Sequence, residues 1–182
     1  MTRDEALEIL HEHVANENLR KHAYAVEAAM RAYARKFGED EDYWGVVGLL
    51  HDFDWEIHPT LEEHPAKGAE ILRARGADEP LVQDVLSHAD HSGVPRDSLL
   101  RRALFAVDEL TGFIVACSLV RPNGIADLKA KSVRKKMKDK SFARQVSREN
   151  IMRCEEIGLP FSEFSQIAIK AMQSVADEIG LS

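Results

Sequence analysis

Apolar residues recur along this chain every three or four positions and rarely at alternate ones, the period of helices buried on one side. Leu7, Leu10 and Val14 mark a first helix to about Val14, opened by the capping-box pair Thr2 and Glu5. After a break at Asn16-Glu17-Asn18, the residues Leu19, His22, Val26, Met30, Tyr33 and Phe37 share one face of a long helix closed by Gly38. Glu39 to Asp42 open a third helix that carries Trp44, Val47 and Leu50 and ends in His51-Asp52. Phe53 to Glu63 is expected to be a loop, and His64-Pro65 to start a short helix that stops at Gly76. A helix from Pro80 through Leu86 runs out at the segment Ser87 to Gly93, which holds His88 and His91. Asp97-Ser98 caps the longest apolar helix, whose core face is Leu100, Leu104, Val107, Thr111 and Ile114. Beyond the turn Pro122-Asn123-Gly124, Asp127 is expected to cap a basic helix. A further helix closes at Gly158, and a last amphipathic one passes through Phe164, Ile167, Ala168, Ala171, Val175 and Ile179. The fold class predicted is all-α, a compact bundle of about eight or nine helices.

The length of 182 residues, with 45% hydrophobic and 30% charged positions, fits one domain over residues 1–182 with a substantial core. No apolar run is long enough to span a bilayer. The charged start Met1-Thr2-Arg3-Asp4-Glu5-Ala6 lacks the apolar centre of a signal peptide, so a cytoplasmic location and no membrane partner are expected. Cys117 and Cys154 lie far apart in helical patterns and indicate neither a disulfide framework nor a thiolate zinc site. The net charge of -7 argues against a nucleic-acid polymer as partner, although it is unevenly spread. Between Lys129 and Arg148 stand nine basic residues and one acid, Asp139, a segment that reads either as a solvated helix face or as a surface for an anion.

The chemistry sits where polar groups interrupt this pattern. His51 and Asp52 directly follow the apolar run Trp44 to Leu50, and a carboxylate at the edge of a core needs a compensating partner such as a cation. His22 lies on the buried face of its helix, and Asp108 lies one turn from Leu104, beside the core face of another. His64, His88 and His91 gather at helix ends. Imidazole and carboxylate oxygen are ligands for zinc, iron or manganese, so two long helices and a His-Asp pair from a third would supply four nitrogen and oxygen donors to one ion.

The order His22, His51-Asp52, Asp108 resembles the HD-domain superfamily of metal-dependent phosphohydrolases, named for that doublet, over about residues 19 to 120. His64 and His88 look like the additional ligands of two-metal members, in which the doublet's aspartate bridges the ions. The run Ser132-Val133-Arg134-Lys135-Lys136-Met137 is similar to a small bacterial and archaeal branch of predicted HD hydrolases. The stretch His88 to Pro95 departs from the cyclic-dinucleotide phosphodiesterases. Val94 stands where they carry tyrosine, His88 and His91 are not adjacent, and Trp55 replaces their lysine, so that activity is not assigned.

The resemblance implies an HD helical bundle with a metal-binding core at about 19–120, a basic helical extension at about 125–182, and one or two divalent ions (Mn, Fe, Co, Zn or Mg). His22, His51, Asp52 and Asp108 would hold the first ion, and His64 and His88 the second with Asp52 shared. His91 is expected as a further ligand or a phosphate donor, and Asp54 as a base orienting the attacking water. Arg121, Lys131, Arg134, Lys135 and Lys138 are expected to hold the substrate phosphate. The activity implied is hydrolysis of a phosphomonoester or phosphoanhydride in a small metabolite, a nucleotide first among them, by metal-activated water. Two alternatives are a di-iron oxygenase on the same fold and a non-catalytic HD signalling module. Assembly of identical copies is left open.

Overall fold

Six helix starts carry a side chain that accepts a backbone N–H of the first turn: Thr2, Asn16, Asp40, Asp78, Ser98 and Ser147. Each such cap contributes about 1 kcal/mol and punctuates the chain where the apolar period resets. The computed structural model describes residues 1–182 and holds nine α-helices and no strand. They are α1 (Arg3–His13), α2 (Glu17–Phe37), α3 (Glu41–Leu50), α4 (Ala66–Ala74), α5 (Glu79–Leu86), α6 (Leu99–Leu119), α7 (Ala130–Met137), α8 (Arg148–Met152) and α9 (Phe161–Ser174). Short 3-10 turns follow α5 at Asp90–Ser92 and α8 at Arg153–Ile157. No helix is long and apolar enough to cross a membrane.

Two 21-residue helices, α2 and α6, form the centre, with α3 and α9 packed against α2. Gly48 sets how closely α3 approaches. A Cβ there would stand 3.0 Å from Met30 Cγ and 3.2 Å from the Val26 carbonyl oxygen, so glycine lets the two backbones nearly touch and brings the end of α3 beside His22. On the same helix Glu27 is buried, its charge compensated by Arg3 (2.6 and 3.0 Å) and Arg31 (3.0 Å), which ties α1 to α2. The far side of α2 is fixed by Tyr33, fully buried, whose hydroxyl donates to the Phe164 carbonyl at 2.6 Å while the two rings stack at 5.0 Å. One hydrophobic cluster of 45 buried residues runs from Ala6 to Leu181.

Three local expectations are corrected. Ile9 is buried on α1 where Leu7 is only partly so. Asp127 caps nothing, because its carboxylate takes Arg121 (2.6 Å) and Asn123 (3.3 Å), and α7 begins three residues later. The last helix ends at Ser174, and Ile179 reaches the core through turns instead. Those turns are pinned to the loop after α6. Ile125 N–H donates to the Leu181 carbonyl at 3.1 Å, and Gly124 passes so close to that oxygen that a Cβ would overlap it.

Tyr33→Phe removes the hydroxyl that joins α2 to α9 and leaves the ring in place. Urea unfolding should show a loss of about 0.5–1.5 kcal/mol, the range for one neutral hydrogen bond whose acceptor is not left unsatisfied.

Candidate metal centre

Helix ends do the aiming. The last carbonyls of an α-helix lack intrahelical donors, and two of them here accept from imidazoles. His51 Nδ1–H donates to the Gly48 carbonyl at 2.8 Å, and His88 Nδ1–H to the Val85 carbonyl at 2.7 Å. His64 is held by a side chain, its Nδ1–H donating to Asp54 Oδ1 at 2.9 Å. In all three rings the outward nitrogen carries the proton, so when the ring is neutral the inward Nε2 presents a lone pair. The negative ends of α3 and α5 also point at the same region and favour a cation there.

The inward atoms form two groups of three. His22 Nε2 lies 2.9 Å from Asp108 Oδ1, and His51 Nε2 lies 3.5 Å from the same oxygen. Asp52 Oδ1 lies 3.0 Å from His88 Nε2 and 3.4 Å from His64 Nε2. The other Asp52 oxygen is 3.7 Å from His51 Nε2, so this carboxylate reaches both groups. His64 and His88 bring their Nε2 atoms to 3.0 Å, and His51 Nε2 is buried with no hydrogen-bond partner.

Paired lone pairs, an orphaned buried nitrogen and two carboxylates make a cage of acceptors, and the donor chemistry fits divalent metal. Residues His22, His51 and Asp108 would hold one ion, and His64, His88 and Asp52 a second. The electrostatics agree. Burial works against charge on His51, but Asp52 and Asp108 outweigh it and push its pKa up to about 9. His64 is likewise opposed by burial and raised by Asp52 and Asp54 to about 9. Removal from bulk water would raise Asp52 and Asp108, yet His51 and the other imidazoles hold both well below the usual carboxylate range. Around 28% of each aspartate side chain stays accessible (29% and 27%), which leaves a way in.

The family model for the HD domain matches residues 19–112. The chain belongs to the HD domain family. The doublet of this HD domain is His51-Asp52, and the match covers every residue of both triads. No solved structure matches the chain.

The remaining site residues fall elsewhere. Asp54 does not face the cleft. It is 1% exposed and spends both oxygens inside the protein, on His64 and on the Gly68 N–H at 3.0 Å, so it fixes the His64 ring and has no oxygen left to orient a water as expected. His91 belongs to neither triad, because its Nε2–H donates to the His64 carbonyl at 2.7 Å. Arg121, Lys131, Arg134, Lys135 and Lys138 line two grooves of about 480 and 400 Å³ that no triad residue borders. Val120, beside Arg121, is twelve residues past Asp108, about 18 Å along a helix. Gly68 has a part that sequence reasoning missed: a Cβ there would come within 2.5 Å of Asp54 Cγ. A glycine inside a nine-residue helix was the available signal for that close approach.

Gly68→Ala should therefore displace Asp54, loosen His64 and weaken the second ion. Manganese titration should show one affinity lowered about ten- to a hundredfold, the usual scale for losing an outer-shell partner, and the other unchanged. Protons and metal compete for the same nitrogens, and the sign follows. With chelator, His51 and His64 titrate near 9 against 6.5 unfolded, so their stabilisation is complete below about pH 6.5 and is lost as pH rises through about 9. Urea midpoints from pH 6 to 9 should fall for the chelated protein and rise for the manganese-loaded one, whose ligands must be deprotonated.

Proposed function

We propose that this HD domain hydrolyses a phosphate ester or anhydride of a small phosphorylated metabolite, with a nucleotide as the first class to test. The observation that carries the reading is the convergence of three Nε2 lone pairs, fixed by Gly48, Asp54 and Val85, on two carboxylates that keep a partly open face. Membership of a superfamily of metal-dependent phosphohydrolases supports the same chemistry. What a bound divalent cation supplies is Lewis acidity, which lowers the pKa of water and draws charge from a phosphoryl oxygen.

The protein's own residues set up that reaction by holding geometry. Asp52 faces both triads through separate oxygens, so it would help to hold an ion at the second and add negative charge beside the first. His22 and Asp108 come from the interiors of α2 and α6, the longest and best-packed elements, so their 2.9 Å contact is set by the core. Asp54, bonded to a ring nitrogen and a backbone N–H, keeps His64 in one orientation without entering the cleft. Trp55 places its ring edge-on to His64 at 5.0 Å and limits rotation from the other side.

Asp52→Asn keeps the shape and removes the shared charge. Phosphate release from a panel of nucleotides and small phosphate esters should fall about a hundredfold or more, the several kcal/mol that metal assistance provides. Elemental analysis should show less bound metal in the same variant. Dioxygen uptake by an iron-loaded parent that releases no phosphate would assign the paired site to an oxygenase instead.

A further inference from the structure

On α6, Asp108, Gly112, Val115 and Leu119 follow one another at four-, three- and four-residue intervals, so they form a single stripe along the helix. The stripe starts at the metal centre and extends about 16 Å to Leu119, which is 70% exposed. Its Gly112, Val115 and Leu119 floor a groove of about 450 Å³ that also takes in His22, a member of the first triad. The volume lies within the range of small-molecule sites, about 300–1,000 Å³.

Gly112 is the telling residue. It stands inside a 21-residue helix, where glycine weakens the helix relative to alanine, and nothing in the protein explains it, for a Cβ there would meet no atom within 4 Å. Glycines 48 and 68, by contrast, each admit a neighbour that a Cβ would strike. The space over Gly112 opens into the groove, one turn from Asp108. The opposite wall is the segment Ile179-Gly180-Leu181, and the groove has a cation at its rim, because Lys21 lies across Gly180 with its Nζ 3.1 Å from where a Cβ would be. No carboxylate lines the groove.

We propose that this groove binds the organic part of the substrate, and that the substrate is a phosphate ester whose organic part is flat and largely apolar, seated over Gly112 and Val115 with its phosphate between Lys21 and the metal centre. This rests on the hydrolase reading for the reaction but not for the binding. The groove discriminates against polyhydroxylated esters, whose hydroxyls would meet Val115, Ile179 and Leu181 without partners. In this proposal Lys21 takes the anchoring role expected of Arg121, Lys131, Arg134, Lys135 and Lys138.

Phosphonates, whose carbon–phosphorus bond resists hydrolysis, separate the two readings. Calorimetry on the manganese-loaded protein should find phenylphosphonate about tenfold tighter than methylphosphonate, the gain from covering one small apolar face. Gly112→Leu should erase that preference and leave methylphosphonate binding as in the parent, while Lys21→Ala should weaken both ligands together. Melting curves serve as the folding control, since Gly112→Ala and Gly112→Leu introduce better helix formers into open space and should melt no lower than the parent. Equal affinities for the two phosphonates, binding of neither, or a phenyl preference that survives Gly112→Leu would overturn the proposal. A phenyl preference lost in Gly112→Leu, in a protein that releases phosphate from no ester, would uphold the groove and strike the hydrolase reading alone.

Discussion

Inward-facing acceptors with nothing but one another for company cannot persist in a folded protein, and this constraint governs the centre of the bundle. His64 and His88 bring Nε2 atoms to 3.0 Å while Asp52 faces both, and His51 Nε2 is buried without a partner. Positive charge has to resolve the conflict, as protons when metal is scarce and as metal when it is not. The rest of the fold makes that conflict unavoidable. It fixes each outward nitrogen on a carbonyl or carboxylate, so no ring can turn its donor inward without breaking a bond worth keeping.

The two triads are built differently. His22, in the second turn of α2, and Asp108, at the middle of α6, project from long helices that share the core, and their separation is a packing distance. Asp52, His64 and His88 come from a turn, a loop end and the residue beyond a helix C-cap. Their placement relies on specific polar contacts, of which the buried Asp54 is the chief one, and Gly68 provides the room that contact needs. The first triad thus joins two side chains set by hydrophobic packing to His51, held on the Gly48 carbonyl, and the second is set by hydrogen bonds throughout.

Much of this was legible in the sequence. The starts of the first three helices, α5 and α6 followed from caps and apolar period, while the start of α7 and the end of α9 did not, and the doublet, His22 and Asp108 stood out because a polar group on a buried face needs a reason. What could not be read was direction. Asp54 and His91 have suitable chemistry and neighbouring positions, yet their atoms turn toward the Gly68 N–H and the His64 carbonyl, contacts set by a loop whose path no periodicity encodes. The basic segment is a related case: charge density reports what a surface attracts, and it does not tell that α7 lines grooves that neither triad borders. A helical glycine signals an exception, but only the space around it separates a close approach, as at Gly68, from an open face, as at Gly112.

One wall of the groove beside His22 is made by residues 179–181, and the position of that wall is decided at Gly124, where the backbone of one loop slides under the Leu181 carbonyl. Gly124 itself borders no part of the groove. The width of the groove is therefore coupled to a position outside it: a side chain at 124 would wedge the terminal segment outward and change the groove's calibre while leaving its lining residues and both triads chemically intact.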